Sequence, residues 1–178
     1  KEEEDITRRI DKILRDLREK LRDVNRRVEE LSKRLHDKLE KVLKRIKDEA
    51  ERLRKEIREK LRDERRVREI EREVREIVER VEEVVRRLKE ENKEIEKENR
   101  RNSTRLKEEM DRVKEDIDRK RVTKELEDKV EKDARDVERH IRKDLTDVRR
   151  RHEDLDRKIK ELLDRVRKAI RDVEEKIK

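Results

Sequence analysis

Apolar residues recur along this chain at steps of three and four, with only two slips in register, and that spacing belongs to the α-helix and not to the β-strand. The first run goes from Ile6 through Ile10, Ile13, Leu17 and Leu21, then by way of Val28, Leu31 and Leu39, to Leu61. It covers 55 residues in 15 steps, or 3.67 residues per turn. The second runs from Val67 to Ile117 and passes through Asn92, Asn99 and Asn102; the third runs from Val122 to Ile177 and passes through His152. An eleven-residue period lies close enough to the helix's own 3.6 that nearly straight helices are expected, with at most a weak right-handed coil.

The two slips, Leu61 to Val67 and Ile117 to Val122, fall near one third and two thirds of the 178 residues. Each is marked by local chemistry. Asp63 and Thr123 are suitable N-caps, basic residues precede the slips, and acidic residues follow them, as the helix dipole favours. The spacing therefore predicts helices over about 5–61, 64–119 and 123–178, folded back as an antiparallel three-helix coiled-coil bundle. The alternative is one uninterrupted helix, since no Gly or Pro marks either turn. A further polar stretch, Asn99 to Thr104, contains candidate caps at Ser103 and Thr104, but the spacing continues through it without a slip and predicts helix.

Composition explains why a stripe this narrow has to suffice. Only 28% of residues are hydrophobic, 65% are charged and none is aromatic, so an ordinary globular core is excluded, while the long-helix and coiled-coil class fits. We expect a single elongated domain over 1–178, a monomer or an assembly associating through its apolar seams. The net charge of +8 is spread along the chain as +6, 0 and +2 over its thirds, and no basic run exceeds three residues, as at Arg149, Arg150 and Arg151. Neither a nucleic-acid tail nor a one-sided basic face is present. No apolar run reaches membrane-spanning length and no leader is evident, so a soluble chain is expected. With no cysteine, its compartment stays open.

Chemistry-bearing patterns are few. No phosphate-cradling loop is available without Gly, and carboxylates are abundant without any sign of an apolar cleft to tune one. His36, His140 and His152 are each followed four residues on by an acid, but one His and one acid supply only two of the three or four ligands zinc needs. No catalytic residue, cofactor, metal or small-molecule substrate is expected. The more specific signal is a set of polar residues at or beside the seam. With turns near 62 and 121, Asn92 falls level with Ser32 and His152, Asn99 with Asn25, and Asn102 with His140. Buried amides fix register because a slip leaves them unpaired. A buried neutral His152 would, in addition, make stability fall as pH drops below about 6.5.

A chain without Gly, Pro or aromatic residues, with Leu, Ile and Val seams on a Lys, Arg, Glu and Asp surface, as in KIKELLDRVRKAIRDVEEKIK at 158–178, resembles computationally designed helical bundles. The resemblance implies a structural scaffold with no natural activity, and no substrate, ligand or compartment. A self-associating module of longer helices and a weak binder of polyanions or membrane surfaces are the alternative readings.

Overall fold

A computed structural model describes all of residues 1–178 as three α-helices: α1 (Glu2–Lys60), α2 (Glu64–Arg119) and α3 (Lys124–Ile177). They contain 59, 56 and 54 residues and pack against one another as an all-α three-helix bundle. The helices end at Lys60 and Arg119, so the uninterrupted helix does not form. α1 begins at Glu2, three residues earlier than the spacing suggested, which places four acids in its first turn. Helix α2 passes unbroken through Asn99–Thr104, and neither Ser103 nor Thr104 acts as a cap.

Both turns are made without glycine and without any residue of positive φ. Capping replaces them. Asp63 Oδ1 accepts the Arg65 amide at 3.1 Å, and Thr123 Oγ1 accepts the Leu126 amide at 3.2 Å. Each covers a donor that the first turn of a helix leaves without an intrahelical partner.

Contacts group the chain into two compact units, each built from a part of all three helices. The first contains residues 1–31 and 94–151; its apolar end is a cluster of Ile6, Ile10 and Leu14 of α1, Ile117 of α2, and Leu126 and Val130 of α3. Ion pairs Arg9–Glu127 and Lys20–Glu138, each 118 residues apart, show that α1 and α3 run in the same direction there. The second contains 32–93 and 152–178, with Leu53 and Ile57, Ile70 and Val74, and Val173 and Ile177 buried together. Leu61 and Val67, on either side of the first turn, cover the end of that cluster.

The buried stripe differs from the expected one at particular positions. Leu14 is buried where Ile13 was expected, and Ser32 where Leu31 was; Ile13 and Leu31 are half-buried. From Ile6 to Ile57 the buried positions advance 51 residues in 14 steps, 3.64 per turn, so a stripe chosen for apolar character leaves the buried face where two apolar residues adjoin, as Ile13 and Leu14 do, or where a leucine adjoins a polar residue, as Leu31 and Ser32 do. No large apolar side chain is left exposed. Truncating a seam residue should therefore act on the whole fold. Ile57→Ala and Ile10→Ala, at positions with no exposure, are expected to lower unfolding free energy by ~2–5 kcal/mol in urea titration, while Lys33→Ala should stay within about 0.5 kcal/mol.

Candidate functional site

Two places in the interior hold hydrogen-bonded amide side chains. In the first unit Asn99, 7% exposed, donates through Nδ2 to Asn25 Oδ1 at 3.2 Å, and Asn25 Nδ2 donates to Ser103 Oγ at 2.9 Å. Asn25 thus uses both ends of its amide to join two positions of α2 one turn apart. In the second unit buried Asn92 donates through Nδ2 to the Ser32 main-chain carbonyl at 3.0 Å, and its own Oδ1 is buried without a hydrogen-bond partner. His152 and Ser32 are buried in the same unit.

Of the expected seam residues, the structure brings Asn25 to Asn99 and Ser32 to Asn92. No hydrogen bond joins Asn102 to His140. His140 is exposed. Asn102 is half-buried and borders a cleft of ≈ 330 Å³ with Asp144 and Asp147 of α3. The reason is the helical step: after Asn99 the buried face advances by four residues and reaches Ser103, so Asn102 is turned to the edge. Ser103, read only as a possible cap, is the interior residue.

Glu127 was also missed. It is 1% exposed in the first turn of α3, where its charge reads in sequence only as a helix-opening acid. Arg9 reaches it with two hydrogen bonds, Nε to Oε1 at 2.5 Å and Nη2 to Oε2 at 3.1 Å, and Lys124 Nζ stands 3.4 Å from Oε2. The fork geometry satisfies both carboxylate oxygens. A hint exists in the sequence: Arg9 directly precedes seam residue Ile10, and Glu127 directly follows seam residue Leu126.

The electrostatics of two carboxylates differ in sign. The hydrogen bonds from Arg9 hold the Glu127 carboxyl below the usual glutamate range, against the opposing effect of burial. Asp144 is pushed up, chiefly by burial and then by the neighbouring Asp147, with His140 partly offsetting both. A second His–acid pair, His36 with Glu40, spans 3.9 Å on an exposed face, and no group of three or more His, Cys, Asp or Glu residues is placed to hold a metal ion. No helix is long and apolar enough to cross a membrane.

No protein-family model, curated protein or solved structure matches the chain. The fold and its interior define a three-helix bundle with hydrogen-bonded polar residues inside an otherwise aliphatic seam.

Three outcomes follow. Asn25→Ala leaves the Asn99 amide and the Ser103 hydroxyl without their partner, and is expected to cost ~1–3 kcal/mol in urea titration. Glu127 has a lowered folded pKa, so its stabilising contribution is present above the unfolded glutamate value and disappears as pH falls through the folded one. Glu127→Gln should therefore lower Tm at pH 7, and the gap to the parent should close as the medium is acidified below about pH 4. Asp144 has the opposite sign: its ionised form is disfavoured in the fold. Asp144→Asn should raise Tm at pH 7 and leave it unchanged once the medium is acid enough to protonate Asp144.

Proposed function

We propose that this protein is a structural scaffold of the designed type, a bundle whose buried polar residues form layers that set helix register, with no enzymatic activity of its own. The observation that carries the reading is where the polar residues stand. Buried positions recur every eleven residues, as in Ile6, Leu17, Val28, Leu39 and Ala50 of α1. In α2 the same period runs Ile70, Val81, Asn92 and Ser103, and again Leu88, Asn99 and Met110. In α1 it runs Ile10, Leu21 and Ser32, and in α3 Val130, Ile141 and His152.

Polar residues thus replace aliphatic ones at lattice positions, not at irregular points beside the seam. An aliphatic residue of the same size at any of these positions would contribute burial energy of roughly 1.5–3 kcal/mol, so the polar choice costs stability. What it adds is discrimination. Sliding α2 by one turn against α1 parts Asn99 from Asn25 and leaves amides facing leucine, an arrangement disfavoured by the loss of each buried hydrogen bond.

The eleven-residue repeat supports a hendecad coil, in which helices coil weakly or not at all. The reading assigns the protein no substrate, cofactor, nucleic acid or membrane; it presents helix surfaces held at fixed spacing.

Replacing Asn92 and Asn99 together by Leu tests the proposal. Tm is expected to rise, while the amide NMR spectrum changes from one set of resonances to several, or mass measurement in solution detects new oligomers. If the double variant keeps a single set of resonances and the parent's mass, the polar residues do not set register and the proposal fails.

A further inference from the structure

Hydroxyl side chains are few in this chain, and the fold sorts them. Of Thr7, Ser32, Ser103, Thr104, Thr123 and Thr146, only Thr123 lies outside the helices, in the non-helical turn at 120–123 between α2 and α3. Ser32 and Ser103 are buried. The hydroxyls of Thr7 and Thr146 donate to main-chain carbonyls one turn back, Glu3 at 2.8 Å and Arg142 at 2.9 Å. Thr123 is exposed. Its Oγ1 accepts the Leu126 amide, a bond that leaves the hydroxyl proton to solvent.

Three cations, Arg119, Lys120 and Arg121, lead directly into this turn, and all are exposed. Arg121 meets Glu3 of α1 at 3.7 Å with its side chain still 86% exposed. One other hydroxyl has cations at the same spacing: Arg100 and Arg101 stand three and two residues before Ser103. There the helix keeps them apart. At about 100° per residue, Arg101 lies about 200° round the axis from Ser103, so no single surface meets both. Ser103 is also 6% exposed and accepts a hydrogen bond from Asn25 Nδ2 at 2.9 Å. Neither obstacle exists at Thr123.

We propose that Thr123 is a phosphoryl-acceptor site for a protein kinase that selects basic residues before its acceptor. Such a kinase holds the acceptor segment extended, with acidic groups placed to take the preceding cations. A hydroxyl in mid-helix becomes available only if the helix unwinds, which around Ser103 would expose Asn99 and Leu106 of the seam. At the turn the fold gives up only the cap bond and the contact of Val122, itself half-buried. In the transfer, Thr123 Oγ1 attacks the γ-phosphorus of ATP. The new P–Oγ1 bond forms as the bond from that phosphorus to the β–γ bridging oxygen breaks; ADP leaves, and the hydroxyl proton passes to the kinase's catalytic aspartate. The product carries a charge of about −1.5 to −2 ahead of α3, a covalent mark on a chain that otherwise serves as a scaffold.

Incubating the folded full chain with Mg·ATP and the catalytic subunit of cAMP-dependent protein kinase, followed by mass spectrometry of the intact chain and its fragments, tests the assignment. One phosphoryl group per chain is expected, on Thr123. Thr123→Asn keeps a side-chain acceptor for the cap but removes the hydroxyl, and should take up none while circular dichroism shows the parent's helicity. A loss of folding cannot imitate that result, because unfolding would free Ser103 and add label. Replacing Lys120 and Arg121 together by Ala, both at exposed positions, should lower kcat/KM for the transfer at least about tenfold. A parent that takes up no phosphoryl group or carries it on Ser103 or Thr104, a Thr123→Asn variant labelled as the parent is, or a Lys120, Arg121 double variant labelled at the parent's rate overturns the proposal.

Discussion

One aliphatic stripe per helix is the constraint from which the rest of this structure follows. With 28% of residues hydrophobic and none aromatic, no helix has apolar surface to spare, and each stripe can leave water only against the stripes of the other two. Helix propensity alone does not hold such segments in place; burial of the amphipathic face does. The turns reflect the same priority. They contain no residue of positive φ, and capping by Asp63 and Thr123 with apolar cover from Leu61 and Val122 does the work usually left to glycine.

Within that stripe, polar residues act in two ways. The amides and hydroxyls of Asn25, Asn99 and Ser103 are matched to one another, so their cost is partly recovered in hydrogen bonds and the remainder is a penalty on any other register. Glu127 is instead a charge taken out of water, tolerated because Arg9 supplies two donors in the geometry a carboxylate accepts. Asp144 has no such fork, and its carboxyl is pushed up by burial. Matching, more than burial, decides whether an interior polar group helps or harms.

The edges beside the stripe are sorted by charge. Ion pairs between α1 and α3 take their cation from α1, as in Lys20–Glu138 and Lys38–Asp156, and those between α2 and α3 take theirs from α3, as in Arg151–Glu98 and Lys158–Glu91. Exposed pairs of this kind contribute only ~0–1 kcal/mol each, so they bias which edges meet without carrying the fold. Where the sorting stops, at Ile77 and Val84, an apolar groove appears.

The sequence by itself determined that the chain is helical, that it breaks near residues 62 and 121, and that Asn92 and Asn99 fall on the seam, because steps of three and four and a capping residue are properties of the chain alone. It could not separate Asn102 from Ser103, Leu31 from Ser32, or Ile13 from Leu14. Each pair lies side by side on the helix, and a rotation of one residue, 100° about the axis, is settled only by the shape of the two helices opposite. Glu127 shows the same limit from the other direction. Its burial depends on Arg9, 118 residues away, and only the packing of α3 along α1 turned a helix-opening acid into an interior one.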